Sequence, residues 1–183
     1  VNAAEKAGVK RYVAVSAIGG STPVPAKWNT PEMKDYFAAK KAGIEVKFVN
    51  TPWEGIFNAL AQGDRDMIAS SVTITDERKQ TMDFTDPYFD AVQLIAVKDG
   101  SKIAKFDDLK KAKVGVQTGT TGDEAVTKLL GKSSTAIKRF ESTPLALKEL
   151  EAGGVDAVVA DNGVVINYVT NNAGAKFKTV SDK

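Results

Sequence analysis

Short apolar runs alternate along this chain with segments of about ten residues that carry helix signals, and that rhythm restricts the fold more than any other feature. Residues 11–16, 44–49, 93–97, 113–117, 136–140, 155–160 and 176–180 read as strands. Residues 2–8, 30–42, 53–62, 121–130 and 162–172 read as helices, and Thr143 reads as the cap of another. The boundaries have physical causes. Gly8, Gly43 and Gly63 stop helices, and Pro31 and Pro144 stand just inside helix starts. Strands separated by single helices cannot close as hairpins and must pair through crossovers. The expected class is therefore α/β, three-layered, with mostly parallel sheets. Residues 83–89 interrupt the rhythm at Pro87 and read as a crossover between two lobes.

What the chain lacks narrows its chemistry. It has no cysteine and no histidine, which excludes disulfides, thiolate and imidazole metal sites, cysteine nucleophiles and Ser-His-Asp arrangements. A formal net charge of +2, with both signs interspersed, gives no basic tract for nucleic acid. No apolar run reaches membrane-spanning length. Val1 leads directly into a polar helical segment, so no signal peptide is expected and the compartment is not encoded. No metal or cofactor is expected.

Residues 66–89 hold the densest chemistry. The run Met67-Ile68-Ala69 reads as a strand whose end carries Ser70 and Ser71, then Thr73 and Thr75. Polar groups at the carboxyl end of a strand in an open α/β sheet stand where such folds bind small molecules. Thr75 is placed to cap a short helix that begins with Asp76-Glu77-Arg78-Lys79. The Arg78 guanidinium can grip a carboxylate with two parallel hydrogen bonds. Taken alone, it is equally a surface arginine beside two acids.

The phrase SSVTITDERKQTMDFTDPYF resembles the signature of type II periplasmic solute-binding proteins of the polar amino-acid family, the receptors of ABC importers. The resemblance continues through WEGI at 53–56, VGVQTGTTG at 114–122 and VDAVVAD at 155–161. It covers about residues 44–183. It implies an amino acid held between two lobes, with docking of the parent receptor on a permease and a periplasmic location. By that resemblance Arg78 meets the ligand α-carboxylate, assisted by Thr73 and Thr121. Asp161 meets the α-ammonium with Ser70 and Ser71, Trp53 packs on the ligand side chain, and Gln117 contacts it. Simpler roles stand beside these. Thr121 and Asp161 can each cap a helix, and Trp53 can be core.

Residues 1–43 fit that family poorly. GVKRYVAVSAIGG, after a small-residue helix, resembles a strand-helix unit of NmrA-like, atypical short-chain dehydrogenases. Tyr36 and Lys40 have the Y-x-x-x-K spacing of that group, with Ser16 upstream, although on an amphipathic helix Tyr36 can simply pack. No G-x-G-x-x-G turn is present to carry a dinucleotide pyrophosphate, so no NAD(P) binding or catalysis is expected.

The two resemblances together read as a composite, engineered scaffold. Lobe one spans 1–90, with a Rossmann-like fragment at 1–43 and a binding-protein part at 44–90. Lobe two spans 91–183. The expectation is weak or absent amino-acid binding. Its rivals are a working importer receptor and, more remotely, an NAD(P)-dependent reductase.

Overall fold

A computed structural model of the chain describes residues 11–12, 41, 43, 45–47, 49–87 and 89–181. The helix read at 2–8, the loop at 17–29 and Ser16, Tyr36 and Lys40 lie outside those residues. The chain divides into two compact units, Val1–Phe89 and Asp90–Lys183.

In the first unit β1 (Arg11–Tyr12) pairs in parallel with β2 (Glu45–Val46). Helix α1 (Trp53–Ala61) follows Pro52 and buries Ile56 completely. Helix α2 (Asp76–Lys79) is a single turn, capped as its sequence predicts: the Thr75 hydroxyl accepts from the Arg78 N–H at 3.2 Å. The strand expected at 67–69 does not form among the described residues. A short apolar run makes a strand only where a ladder partner meets it, and no described residue pairs with this one.

The second unit is a five-stranded mixed sheet in the order β5-β4-β6-β3-β7. Its strands are β3 (Gln93–Lys98), β4 (Val114–Gln117), β5 (Ile137–Phe140), β6 (Ala157–Asp161) and β7 (Phe177–Val180). β4 is parallel to β5 and β6, whereas β3 is antiparallel to both its neighbours, β6 and β7. The parallel pairs come from helix crossovers: α3 (Thr121–Leu130) joins β4 to β5, and α4 (Thr143–Ala152) joins β5 to β6. Helix α5 (Asn162–Asn171) carries the chain from β6 to β7, on the two sides of β3. The reversed direction of β3 is the departure from the mostly parallel expectation. A 3₁₀ helix, Phe106–Lys111, lies between β3 and β4. It is too short to show a helical period in the sequence.

The inner strands β3, β4 and β6 are apolar through their middles because both faces are covered, whereas the edge strands β5 and β7 carry exposed Lys138, Arg139, Lys178 and Thr179. Ile95 and Val97 of β3 pack with Val114, Val116, Leu109 and Val126, under α3 and the 3₁₀ helix. The alternate residues Leu94 and Ala96 pack with Leu147, Leu150, Val158 and Val165, under α4 and α5. This gives three layers, with each fully buried aliphatic side chain contributing about 1.5–3 kcal/mol. Helix α4 stops at Gly153, which takes the left-handed conformation at φ 84° that glycine adopts without a Cβ clash.

Candidate functional site

Each unit gathers its own polar cluster. In the first, Arg78 projects from α2 back over α1. Its guanidinium carbon lies 5.2 Å from the Phe57 ring centre and 5.7 Å from that of Trp53. Those two rings meet edge to face at 5.0 Å. Nη1 of Arg78 donates to the Thr73 carbonyl at 3.0 Å. Aromatic faces attract a guanidinium electrostatically, so α1 and the Thr73 backbone together hold its fork in one place. Ser70 and Ser71 precede Thr73 on the same segment. The Ser70 hydroxyl oxygen is buried with no hydrogen-bond partner among the described residues. Ser71 stands in the left-handed region at φ 50°, a conformation that costs a non-glycine residue about 1–3 kcal/mol and is concentrated at ligand sites.

The second unit brings together residues from three elements: Gln93 opening β3, Thr121 opening α3 and Asp161 closing β6. The Gln93 side-chain nitrogen donates to Asp161 Oδ1 at 2.6 Å and to Thr121 Oγ1 at 3.1 Å. The Thr121 hydroxyl faces the same Asp161 oxygen at 3.5 Å. Neither simpler role holds. Thr120, not Thr121, caps α3, its hydroxyl accepting from the Asp123 N–H. Asp161 occupies the N-cap position of α5, yet its side chain makes no capping hydrogen bond.

A close approach makes this cluster possible. A Cβ on Gly122 would lie 2.9 Å from the Val159 carbonyl oxygen and 2.9 Å from Gln93 Oε1. Only glycine lets the first turn of α3 sit against β6. The turn is locked from behind by Asp123, which is 8% exposed. Its carboxylate accepts from the Gly119 N–H, the Thr127 hydroxyl and Arg139 Nε. The Gly119 N–H, in the strand-to-helix turn, is thereby directed at Asp123.

Gln117 is engaged structurally. Its Oε1 accepts from the N–H and the hydroxyl of Thr143, and its Nε2 donates to the Glu141 carbonyl. The amide thereby serves as a non-local cap for α4, satisfying one of the donors a helix start leaves open. Sequence reasoning missed two residues of these clusters, Phe57 and Gln93. The signal for Gln93 is a polar side chain heading a strand whose next four residues are buried.

Comparison with known proteins bears on what such clusters serve. Residues 35–144 match the family model of bacterial extracellular solute-binding proteins, family 3. A probable histidine-binding protein of Neisseria gonorrhoeae is 52% identical over 147 residues, 79% of this chain and 55% of that protein. The arginine-, lysine-, histidine-binding protein ArtJ of Geobacillus stearothermophilus is similar in structure with a TM-score of 0.83. The identity is 41%, over 94% of this chain and 76% of that one. An ancestral arginine-binding protein bound to arginine gives a TM-score of 0.79 at 36% identity, over 95% and 80% of the two chains. This chain spans about half the length of the curated relatives it matches.

These findings correct the composite reading. The family match begins at residue 35 and takes in Tyr36 and Lys40, inside the segment read as NmrA-like. The structural likeness to the solved receptor covers 94% of the chain. No dinucleotide-binding fragment, chimera or engineered scaffold is supported. The error has a physical source, because an apolar strand followed by a glycine-stopped helix is common to all α/β folds. The relatives are binding proteins, which favours a working receptor over a scaffold that has lost its ligand. With a family match over more than half its length and a relative more than half identical, the chain belongs to the bacterial extracellular solute-binding proteins, family 3.

Proposed function

We propose that the chain is the ligand-binding part of an amino-acid receptor that works outside the cytoplasmic membrane and delivers its cargo to an ABC permease. The observation that carries this reading is Asp161. A carboxylate at a helix N-cap ordinarily accepts from its own helix, and this one is turned instead to Thr121 and Gln93. An acid held that way suits an ammonium group. The first unit offers the opposite charge, since the Arg78 guanidinium is steadied by two rings and a carbonyl and suits a carboxylate. A free amino acid carries both groups.

In this reading Arg78, Thr73 and Thr121 take the α-carboxylate. Asp161, Ser70 and Ser71 take the α-ammonium, and Trp53 packs on the side chain. Gln117 shapes the wall through its hold on α4. The buried Ser70 hydroxyl, without a hydrogen-bond partner among the described residues, supports its place in the set. The names of the relatives, histidine-binding and arginine-, lysine-, histidine-binding, favour a basic amino acid as ligand. Among the described residues no helix is long and apolar enough to cross a membrane.

A thermal-shift panel of the twenty amino acids tests the proposal. A ligand that binds only the folded state at about 100 times its Kd adds about 2.7 kcal/mol of stability. Histidine, arginine or lysine is expected to raise the midpoint most. A midpoint that no amino acid moves would overturn the receptor reading, and a rise with acidic amino acids alone would overturn the ligand class.

A further inference from the structure

We propose that Gln93 is a positioning residue for ligand capture, an uncharged donor that keeps Asp161 and Thr121 aimed while leaving the Asp161 charge uncompensated. The proposal rests on the receptor reading and assigns a device within it. Gln93 and Asp161 are directly opposite across the antiparallel β3–β6 pair, so their side chains share a face and lie side by side. The carboxamide NH₂ has two hydrogens, and both are spent on the cluster, one at 2.6 Å on Asp161 and one at 3.1 Å on Thr121.

Each bond has a separate consequence. By accepting from Gln93, the Thr121 oxygen commits one lone pair, and its single hydrogen is turned elsewhere. The contact it finds within the cluster is long, 3.5 Å to Asp161, so that hydrogen can be handed to a closer acceptor such as a ligand carboxylate. On Asp161, the amide fixes one carboxylate oxygen and adds no positive charge. A lysine or arginine here would orient the carboxylate equally well but would satisfy its charge, and an incoming ammonium would then meet a neutral pair. An amide aims the acid without competing for it.

The other end of the amide shows that this arrangement is not chosen for stability. Gln93 Oε1 is buried with no hydrogen-bond partner among the described residues. A buried acceptor left unpaired is unfavourable, and an apolar side chain of the same length would avoid it. The position keeps its donors at the expense of an orphaned acceptor.

The test compares Gln93→Met, Gln93→Lys and the unaltered chain by calorimetry with histidine, arginine and lysine, alongside thermal melting. Gln93→Met is expected to weaken all three about ten- to hundredfold, the worth of a hydrogen bond to a charged group, and to keep their order. Gln93→Lys is expected to bind none of them although it melts no lower than Gln93→Met, an outcome a merely structural role does not give. Binding by Gln93→Lys, or binding by Gln93→Met within threefold of the unaltered chain, would overturn the proposal. A chain that binds no amino acid at all would sink the receptor reading, and the device is then read without ligand. The two Gln93 side-chain NH₂ resonances must be well separated in the NMR spectrum and must move in Asp161→Asn and in Thr121→Val. Resonances at the positions of a free amide would overturn the proposal on their own.

Discussion

Arg78→Ala is expected to remove amino-acid binding as measured by calorimetry, with a loss of roughly thirtyfold to several thousandfold. Truncating one partner of a desolvated charge pair costs about 2–5 kcal/mol, and tenfold in affinity is about 1.4 kcal/mol. The size of the effect follows from how the side chain is held. Stacking against Phe57 and Trp53 and the bond to the Thr73 carbonyl mean that little ordering remains to be done when a carboxylate arrives. Arg78→Lys separates charge from shape. It keeps the cation but loses the planar fork and the fit to the rings, so an intermediate loss is expected. Binding by Arg78→Ala within threefold of the unaltered chain would show that the carboxylate lies elsewhere.

Leu147→Ala is expected to give the largest loss of stability, about 2–5 kcal/mol in the second unit. Leu147 is fully buried on α4 and packs in the cluster that holds Leu94, Ala96, Leu150 and Val158. Whole-domain stabilities are only about 5–15 kcal/mol, so the variant gives up a large part of the margin. For a unit of this size each kcal/mol is worth roughly 4–8 °C, and calorimetric melting should show a fall of at least about 8 °C. A fall of less than about 3 °C, below even 1 kcal/mol on that scale, would mean that the cluster collapses around the missing atoms. The proposed binding residues are not in this cluster, so the remaining folded protein should bind as before.

The second unit was largely legible in the sequence because its signals are local. Helix α3 begins at Thr121 and ends at Leu130 as read, fixed by a strand-to-helix turn at one end and Gly131 at the other. The start of α4 was misjudged by one position. Ser142 is the N-cap residue, while Thr143 turns inward to Gln117, and no pattern around Thr143 reveals a cap supplied from 26 residues away. Gln93 was missed for the same reason: its partner lies 68 residues on and depends on the register of two antiparallel strands. The NmrA-like reading of residues 1–43 failed differently. One βα unit carries too little information to tell one α/β family from another, and long matches decided what short ones could not.

Gly122 links the fold to the proposed site in a way that separates strength from preference. The fit of α3 against β6 leaves no room for even a methyl group there, so Gly122→Ala must shift the helix or Gln93 by some tenths of an ångström. That shift would carry Thr121 away from Asp161 and loosen the hold on the atoms that all amino acids share. Every ligand would weaken by a similar factor, and their ranking would survive. A change at Trp53, which meets only the variable part of the ligand in the proposed site, would reorder the ranking while leaving the common grip intact. On the proposed reading, a receptor built this way can change its diet through a few side-chain positions, so long as one backbone contact stays closed.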